Sequence, residues 1–175
     1  FDERHRVNMN LDYRFGAGKF YNGPNLFGSD ILANAGLSLQ AIAVSGRPYT
    51  ATITPLELGG AQTAGSINGS RKPWNYTINL RVDKVVQVSK GLSMNIYCRV
   101  SNLLNQQNIL NVYSSTGSPK DDGFLASSNG QDKLLNIVNS NRVVDAYLAS
   151  YQWALLNPGL FSLPRRIFAG VIMDF

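Results

Sequence analysis

Few residues in this chain are of the types that do covalent chemistry. There is one histidine, His5, and one cysteine, Cys98. A nucleophile needs a base within hydrogen-bond reach, and His5 sits in Asp2-Glu3-Arg4-His5 with no nucleophile signature beside it. It reads as a polar residue at a strand end. Cys98 falls inside an alternating apolar run and reads as a small apolar side chain. One cysteine excludes an intrachain disulfide and a multi-cysteine zinc site, and one histidine excludes a histidine-rich metal site. Asp121-Asp122-Gly123 offers oxygens to calcium, but a full shell takes roughly six to eight of them. Pro119-Lys120-Asp121-Asp122-Gly123 is more simply turn chemistry. No catalytic constellation emerges, so the expectation is a protein that is not an enzyme and carries no cofactor or metal.

The other ionic residues of note are Arg14, Arg81, Asp83, Arg99, Arg166 and Asp174. Each falls on the polar face of an alternating segment. In His5–Gly16, Val7, Met9, Leu11, Tyr13 and Phe15 share one face, and Asn8, Asn10, Asp12 and Arg14 share the other. In Trp74–Asp83, Trp74, Tyr76, Ile78, Leu80 and Val82 oppose Asn75, Thr77, Asn79, Arg81 and Asp83. Leu92–Ser101 sets Leu92, Met94, Ile96, Cys98 and Val100 against Ser93, Asn95, Tyr97, Arg99 and Ser101. From Ile167, the residues Ile167, Ala169, Val171, Met173 and Phe175 oppose Arg166, Phe168, Gly170, Ile172 and Asp174. The stretch from about Ala33 to Gly46 repeats the pattern more weakly. Side chains alternate across a strand with period two, so these segments predict five strands with one apolar face each.

Composition agrees. The chain has 175 residues, 44% apolar and only 15% charged, with a net charge of +5 and a mean hydropathy of −0.11. Ordinary globular domains are about 25% charged. No run of about 18 apolar residues forms a membrane-spanning helix, but barrel strands need only about 10 residues each. The positive charge is dispersed, which argues against a nucleic-acid surface.

Alternation also occurs in soluble sandwiches and lipocalin-type barrels, whose apolar faces turn inward. Three details favour lipid. The polar faces carry Asn, Ser, Gln and Thr rather than the Lys and Glu of a soluble surface. Aromatics (Tyr13, Phe15, Trp74, Tyr76, Phe175) lie near the ends of the apolar faces, where interfacial girdles form. A tight turn at Ser89-Lys90-Gly91 contrasts with about 60 residues between the fourth and fifth strands, as in outer-membrane barrels with short periplasmic turns and long external loops. If Phe175 ends in the periplasm, parity puts Phe1 outside, and at least one further crossing precedes it. Five strands fall short of the roughly eight that close a barrel. The fold expected is therefore all-β: the last five antiparallel strands of a larger transmembrane barrel.

The last long loop holds one helix candidate, from about Arg142 to Leu156, with Asn141 as its cap and Pro158 beyond its end. Val144, Tyr147, Leu148, Tyr151 and Leu155 form its apolar stripe. That stripe packs on the rim or on neighbouring loops; the sharper reading makes Tyr147, Tyr151 and Trp153 a surface for a partner or ligand. The loop Thr54–Ser70, rich in Gly, Ala and Thr, reads as flexible.

Several motifs resemble one family. Asp2-Glu3-Arg4-His5 leading to Tyr13-Arg14-Phe15-Gly16, then Ser45-Gly46-Arg47-Pro48-Tyr49-Thr50, resemble the late barrel of TonB-dependent receptors. Asn102-Leu103-Leu104-Asn105 is similar to that family's Asn-Leu-Phe-Asn pattern, with Leu104 in place of the commoner Phe. Pro164-Arg165-Arg166-Ile167-Phe168 through Phe175 resembles its last strand. The long insertions look most like the large receptors of Bacteroidota, including those with an N-terminal carboxypeptidase-regulatory-like domain.

The resemblance implies a barrel of about 22 strands around an N-terminal plug, coupled to the inner membrane through a TonB box. Residues 1–175 would be the C-terminal part of that single barrel domain, with plug and box outside it. It implies the outer membrane of a Gram-negative bacterium and uptake of a bulky nutrient. Expected partners are outer-membrane lipid, the rest of the barrel and plug, the TonB system and other outer-membrane subunits, with no nucleic acid. Phe175, Met173 and Val171 would form the signal read by the barrel-insertion machinery. Arg14, Arg81, Asp83, Arg99, Arg166 and Asp174 would face the lumen and pair with one another or with the plug. The alternative is a structural barrel subunit of an outer-membrane secretion or insertion complex, or a barrel fragment bound to such a machine.

Overall fold

The computed structural model describes residues 2–25, 28–60 and 62–175. Its strands are β1 (Arg6–Arg14), β2 (Ala35–Val44), β3 (Pro48–Tyr49), β4 (Ser70–Arg71), β5 (Asn75–Ser89), β6 (Leu92–Ser101) and β7 (Arg166–Asp174). Two helices, α1 (Ser128–Asn139) and α2 (Val144–Leu155), lie between β6 and β7 in the chain. The residues cluster into two compact units.

One unit comprises residues 6–44, 76–106 and 164–175. It is a five-stranded antiparallel sheet in the order β1-β2-β5-β6-β7. The registers keep like faces together. Asn10 pairs with Gln40 and Arg14 with Gly36; Arg81 pairs with Arg99 and Asp83 with Tyr97; Tyr97 pairs with Gly170 and Ser101 with Arg166. On the other face Met9 meets Ala41, Val82 meets Cys98, and Cys98 meets Ala169. Since a one-residue slip would invert every side chain, this register gathers mostly apolar side chains on one face, with Lys84 near its end, and the ionic and amide side chains on the other. The five segments read from alternation are these five strands, with β5 running on to Ser89. The Lys90-Gly91 turn joins β5 to β6, with Gly91 at φ +92°, where glycine has no steric penalty.

Among the described residues, the apolar face of this sheet is open. Val7, Met9, Leu11 and Tyr13 are 45–60% exposed, and Ile167, Val171 and Met173 are similarly open. Among the described residues the buried apolar side chains are Ala35 and Phe124, each 7% exposed. A chain of this length folding alone in water would bury far more of its apolar surface.

The other unit comprises residues 1–5, 45–75 and 107–163. Antiparallel β3 and β4 form a short ladder, extended by the Thr52–Thr63 bridge. Ile53 N–H donates to Gln62 O at 2.8 Å and Ala64 N–H to Ala51 O at 2.8 Å. The segment expected to be a flexible loop is thus a hydrogen-bonded hairpin, reversed by Gly59 and Gly60 at positive φ; Ala61 lies outside the described residues.

The expectation of a single helix is corrected to two. Ser127 caps α1, its side chain accepting from Gly130 N–H at 3.1 Å. The early turns of α1 are polar and carry a glycine, so helical periodicity shows only over its last turns. Asn141 does not cap α2. It follows α1 at φ +55°; its N–H reaches Val138 O at 3.0 Å, and Arg142 N–H reaches Ile137 O at 3.1 Å. That double closure is a Schellman motif, and asparagine tolerates its left-handed position. The N-cap of α2 is Val143, without a side-chain bond.

Candidate functional site

The polar face of the sheet concentrates the ionic and amide side chains. At its centre Asp83, on β5, is 3% exposed. Arg14 grips it with two prongs, Nη1 to Oδ2 at 3.2 Å and Nη2 to Oδ1 at 3.4 Å. To do so Arg14 spans β2, and the position it crosses is Gly36. A Cβ there would lie 2.8 Å from Arg14 Nη2 and 3.1 Å from Asp83 Oδ1. Arg81 Nε stands 3.7 Å from the same carboxylate, and its guanidinium lies 5.0 Å from the centroid of the Tyr97 ring. Tyr97 in turn covers Gly170, where a Cβ would meet the phenol oxygen at 2.6 Å. One row, Arg14-Gly36-Asp83-Tyr97-Gly170, therefore crosses all five strands, with glycines making room for the two large side chains.

Beside this row is an open cleft of about 360 Å³ lined by Asn10, Asp12, Gln40, Asn79, Arg81 and Arg99, among others. Asp12 accepts from the Ser38 hydroxyl. Asn79 donates to Gln40 Oε1 at 3.1 Å and accepts from Asn102 N–H at 3.1 Å. Arg81 and Arg99 are directly paired across β5 and β6. The Arg99 side chain makes no hydrogen bond or ion pair among the described residues.

Of the six charges read as one group, the structure brings Arg14, Asp83 and Arg81 together and sets Arg99 beside them. Arg166 lies 5.8 Å from the Phe168 ring centroid, and Asp174 pairs with Ser93 at the far end of β6–β7. Gly36, Gly170 and Tyr97 were missed as partners in this site. Their signal was a glycine interrupting an otherwise full strand face. Val171 and Met173 pair with Ile96 and Met94, while Phe175 is 97% exposed. Cys98 is a free, exposed thiol on the apolar face.

The Asn102–Asn105 motif is a turn that ends β6. Asn102, at φ +56°, bonds both backbone polar groups of Gln106, accepting from its N–H at 2.9 Å and donating to its O at 3.0 Å. Asn105 accepts from Arg165 N–H at 2.9 Å, tying that turn to the entry of β7.

In the loop unit His5 stacks on Trp74 with ring centroids 6.1 Å apart, and its backbone N–H donates to Ser45 Oγ at 3.0 Å. It stands directly before β1, against an aromatic ring. Nearby, the Arg71 guanidinium bonds Asp2 and holds its carboxyl below the usual carboxylate range. Gly46 admits no side chain, since a Cβ would fall 1.6 Å from Lys72 O.

Asp121 and Asp122 organise a turn. Asp121 Oδ1 accepts from Gly123 N–H at 2.8 Å and Asp122 Oδ1 from Phe124 N–H at 2.9 Å. Asp122, 3% exposed, also receives the Tyr151 hydroxyl. Burial and then that hydrogen bond push the Tyr151 phenol well above its ordinary value. Among the described residues, no group of three or more His, Cys, Asp or Glu is arranged to hold a metal. Tyr147 and Tyr151 pack together with Phe124, and Lys133 Nζ lies 5.5 Å from the Tyr147 ring centroid. Trp153 faces the opposite side of α2 and is 74% exposed. Tyr147 and Tyr151 are thus half-buried against each other and Phe124, and Trp153 is open.

No family model, curated protein or solved structure matches this chain.

Proposed function

We propose that this sheet is a stretch of wall of a larger outer-membrane β-barrel of the TonB-dependent-receptor type, serving uptake of a bulky nutrient. The observation that carries the reading is a five-stranded antiparallel sheet whose largely apolar face is exposed while its other face holds ion pairs and amides. A bilayer covers the first face at no desolvation cost, and a hydrated lumen suits the second. Among the described residues β1 and β7 are the edge strands, whose outer sides in lipid must be satisfied by further strands. In this role the wall holds shape and lines the path; energy coupling belongs to parts of the protein outside these residues.

Membrane extraction tests the proposal. The polypeptide carrying this sequence should stay in the outer-membrane pellet through alkaline carbonate washing, at an intact mass several times 19.2 kDa. Recovery as a soluble, monodisperse protein without detergent would overturn it. The alternative of a structural subunit in an outer-membrane machine draws on exposed Trp153 in the loop unit. A partner that co-purifies stoichiometrically, together with absence of a TonB box upstream, would favour that reading.

A further inference from the structure

We infer that the polar-face cleft is an oxyanion site, with Arg81 and Arg99 as a two-pronged clamp for a carboxylate or phosphate group on a small solute. Like charges directly opposite on neighbouring antiparallel strands destabilise a sheet, and Arg81 and Arg99 are direct cross-strand partners. The local carboxylates offset this only in part. Asp83 is taken by both prongs of Arg14 and gives Arg81 only a longer, single ion pair at 3.7 Å. Asp12 is bonded by Ser38. Three guanidiniums, Arg14, Arg81 and Arg99, thus stand against two carboxylates, with Arg99 unpaired among the described residues.

The surroundings pre-organise the clamp. Stacking on Tyr97 fixes the plane of Arg81, so less rotamer freedom is lost when it binds. The cleft, about 360 Å³ in volume, admits a small anion with a polar body, and Asn10 and Gln40 at its edge supply amide donors. An oxyanion between the forks would convert the cross-strand repulsion into two charge-assisted hydrogen-bonded contacts.

This site rests on the proposed reading only in that the polar face must be open to solutes. The experiment is titration of the purified full-length protein with inorganic phosphate and, separately, with succinate, followed by calorimetry at low salt. Saturable binding of at least one probe is expected. It should weaken by about tenfold in Arg99→Gln and in Arg81→Gln, the scale of one lost charged hydrogen bond, and change less than about twofold in Arg166→Gln. Arg99→Lys should fall between, because it keeps charge and loses the fork. The anion should also raise the thermal midpoint of the wild type and not of Arg99→Gln, which separates loss of binding from loss of folding. Phosphate bound more tightly than succinate would assign a phosphorylated solute, and the reverse a carboxylated one. No saturable binding of either probe, or binding unchanged in Arg99→Gln, would overturn the inference. Neither result touches membrane residence, which the carbonate wash reads separately.

Discussion

Asp83 illustrates how much one side chain can organise on a polar strand face. It is nearly buried, receives two bonds from Arg14 and stands near Arg81. Asp83→Asn should destabilise the folded protein by about 1.5–3 kcal/mol, the scale of a hydrogen bond to a charged group. A double-mutant cycle by denaturant unfolding should give larger coupling for Arg14 with Asp83 than for Arg81 with Asp83, since only the first is two-pronged. Equal couplings would contradict the geometry. Tyr151 supplies a pH prediction. Its folded-state value is raised above the ordinary 10.0, so its contribution to stability is complete below about pH 10 and is lost as pH climbs through the folded value. Burial raises Tyr113 as well, so ultraviolet titration should show a late-ionising tyrosine signal that shrinks, without vanishing, in Tyr151→Phe. The face assignments of Arg14, Asp83 and Arg81 were legible from alternation. Their contacts were not, because pairing across strands depends on register, and register is set by residues far apart in the chain.

At the scale of elements, glycines set what can pack. A methyl group at position 46 has no space against Lys72 O. Gly46→Ala should therefore cost about 1–3 kcal/mol, the range for overpacking, read as a lowered midpoint of unfolding. Gly36→Ala should be milder, because Arg14 is a flexible neighbour, but should abolish the Arg14–Asp83 coupling in the same cycle. The strands were readable because period-two alternation is a local signal. The α2 stripe was readable for the same reason: Val144, Tyr147, Leu148, Tyr151 and Leu155 are its half-buried positions and the rest are exposed. Helix α1 and the β3–β4 hairpin were not. The first turns of α1 are polar and glycine-bearing and the hairpin strands are two residues each, so caps and turns carry their information instead of hydrophobic period. Asn141 misled for a physical reason: asparagine serves equally as a helix start and as a left-handed helix end.

For the whole molecule, the deciding quantity is what covers the apolar face. Val82 lies on that face between Leu80 and Lys84, paired with Cys98. In a bilayer, Val82→Lys should cost about 2–4 kcal/mol, whereas on a water-exposed face it would cost little. Cys98 offers the most direct measurement, since it is the chain's one cysteine and lies on the same face. A fluorophore attached to it in the reconstituted protein should be quenched by nitroxide-bearing lipids and protected from aqueous iodide. The same label at Asn95→Cys in a Cys98→Ala background, on the polar face, should show the opposite pattern. Quenching of the Cys98 label by iodide and not by nitroxide lipid would contradict a lipid-facing wall.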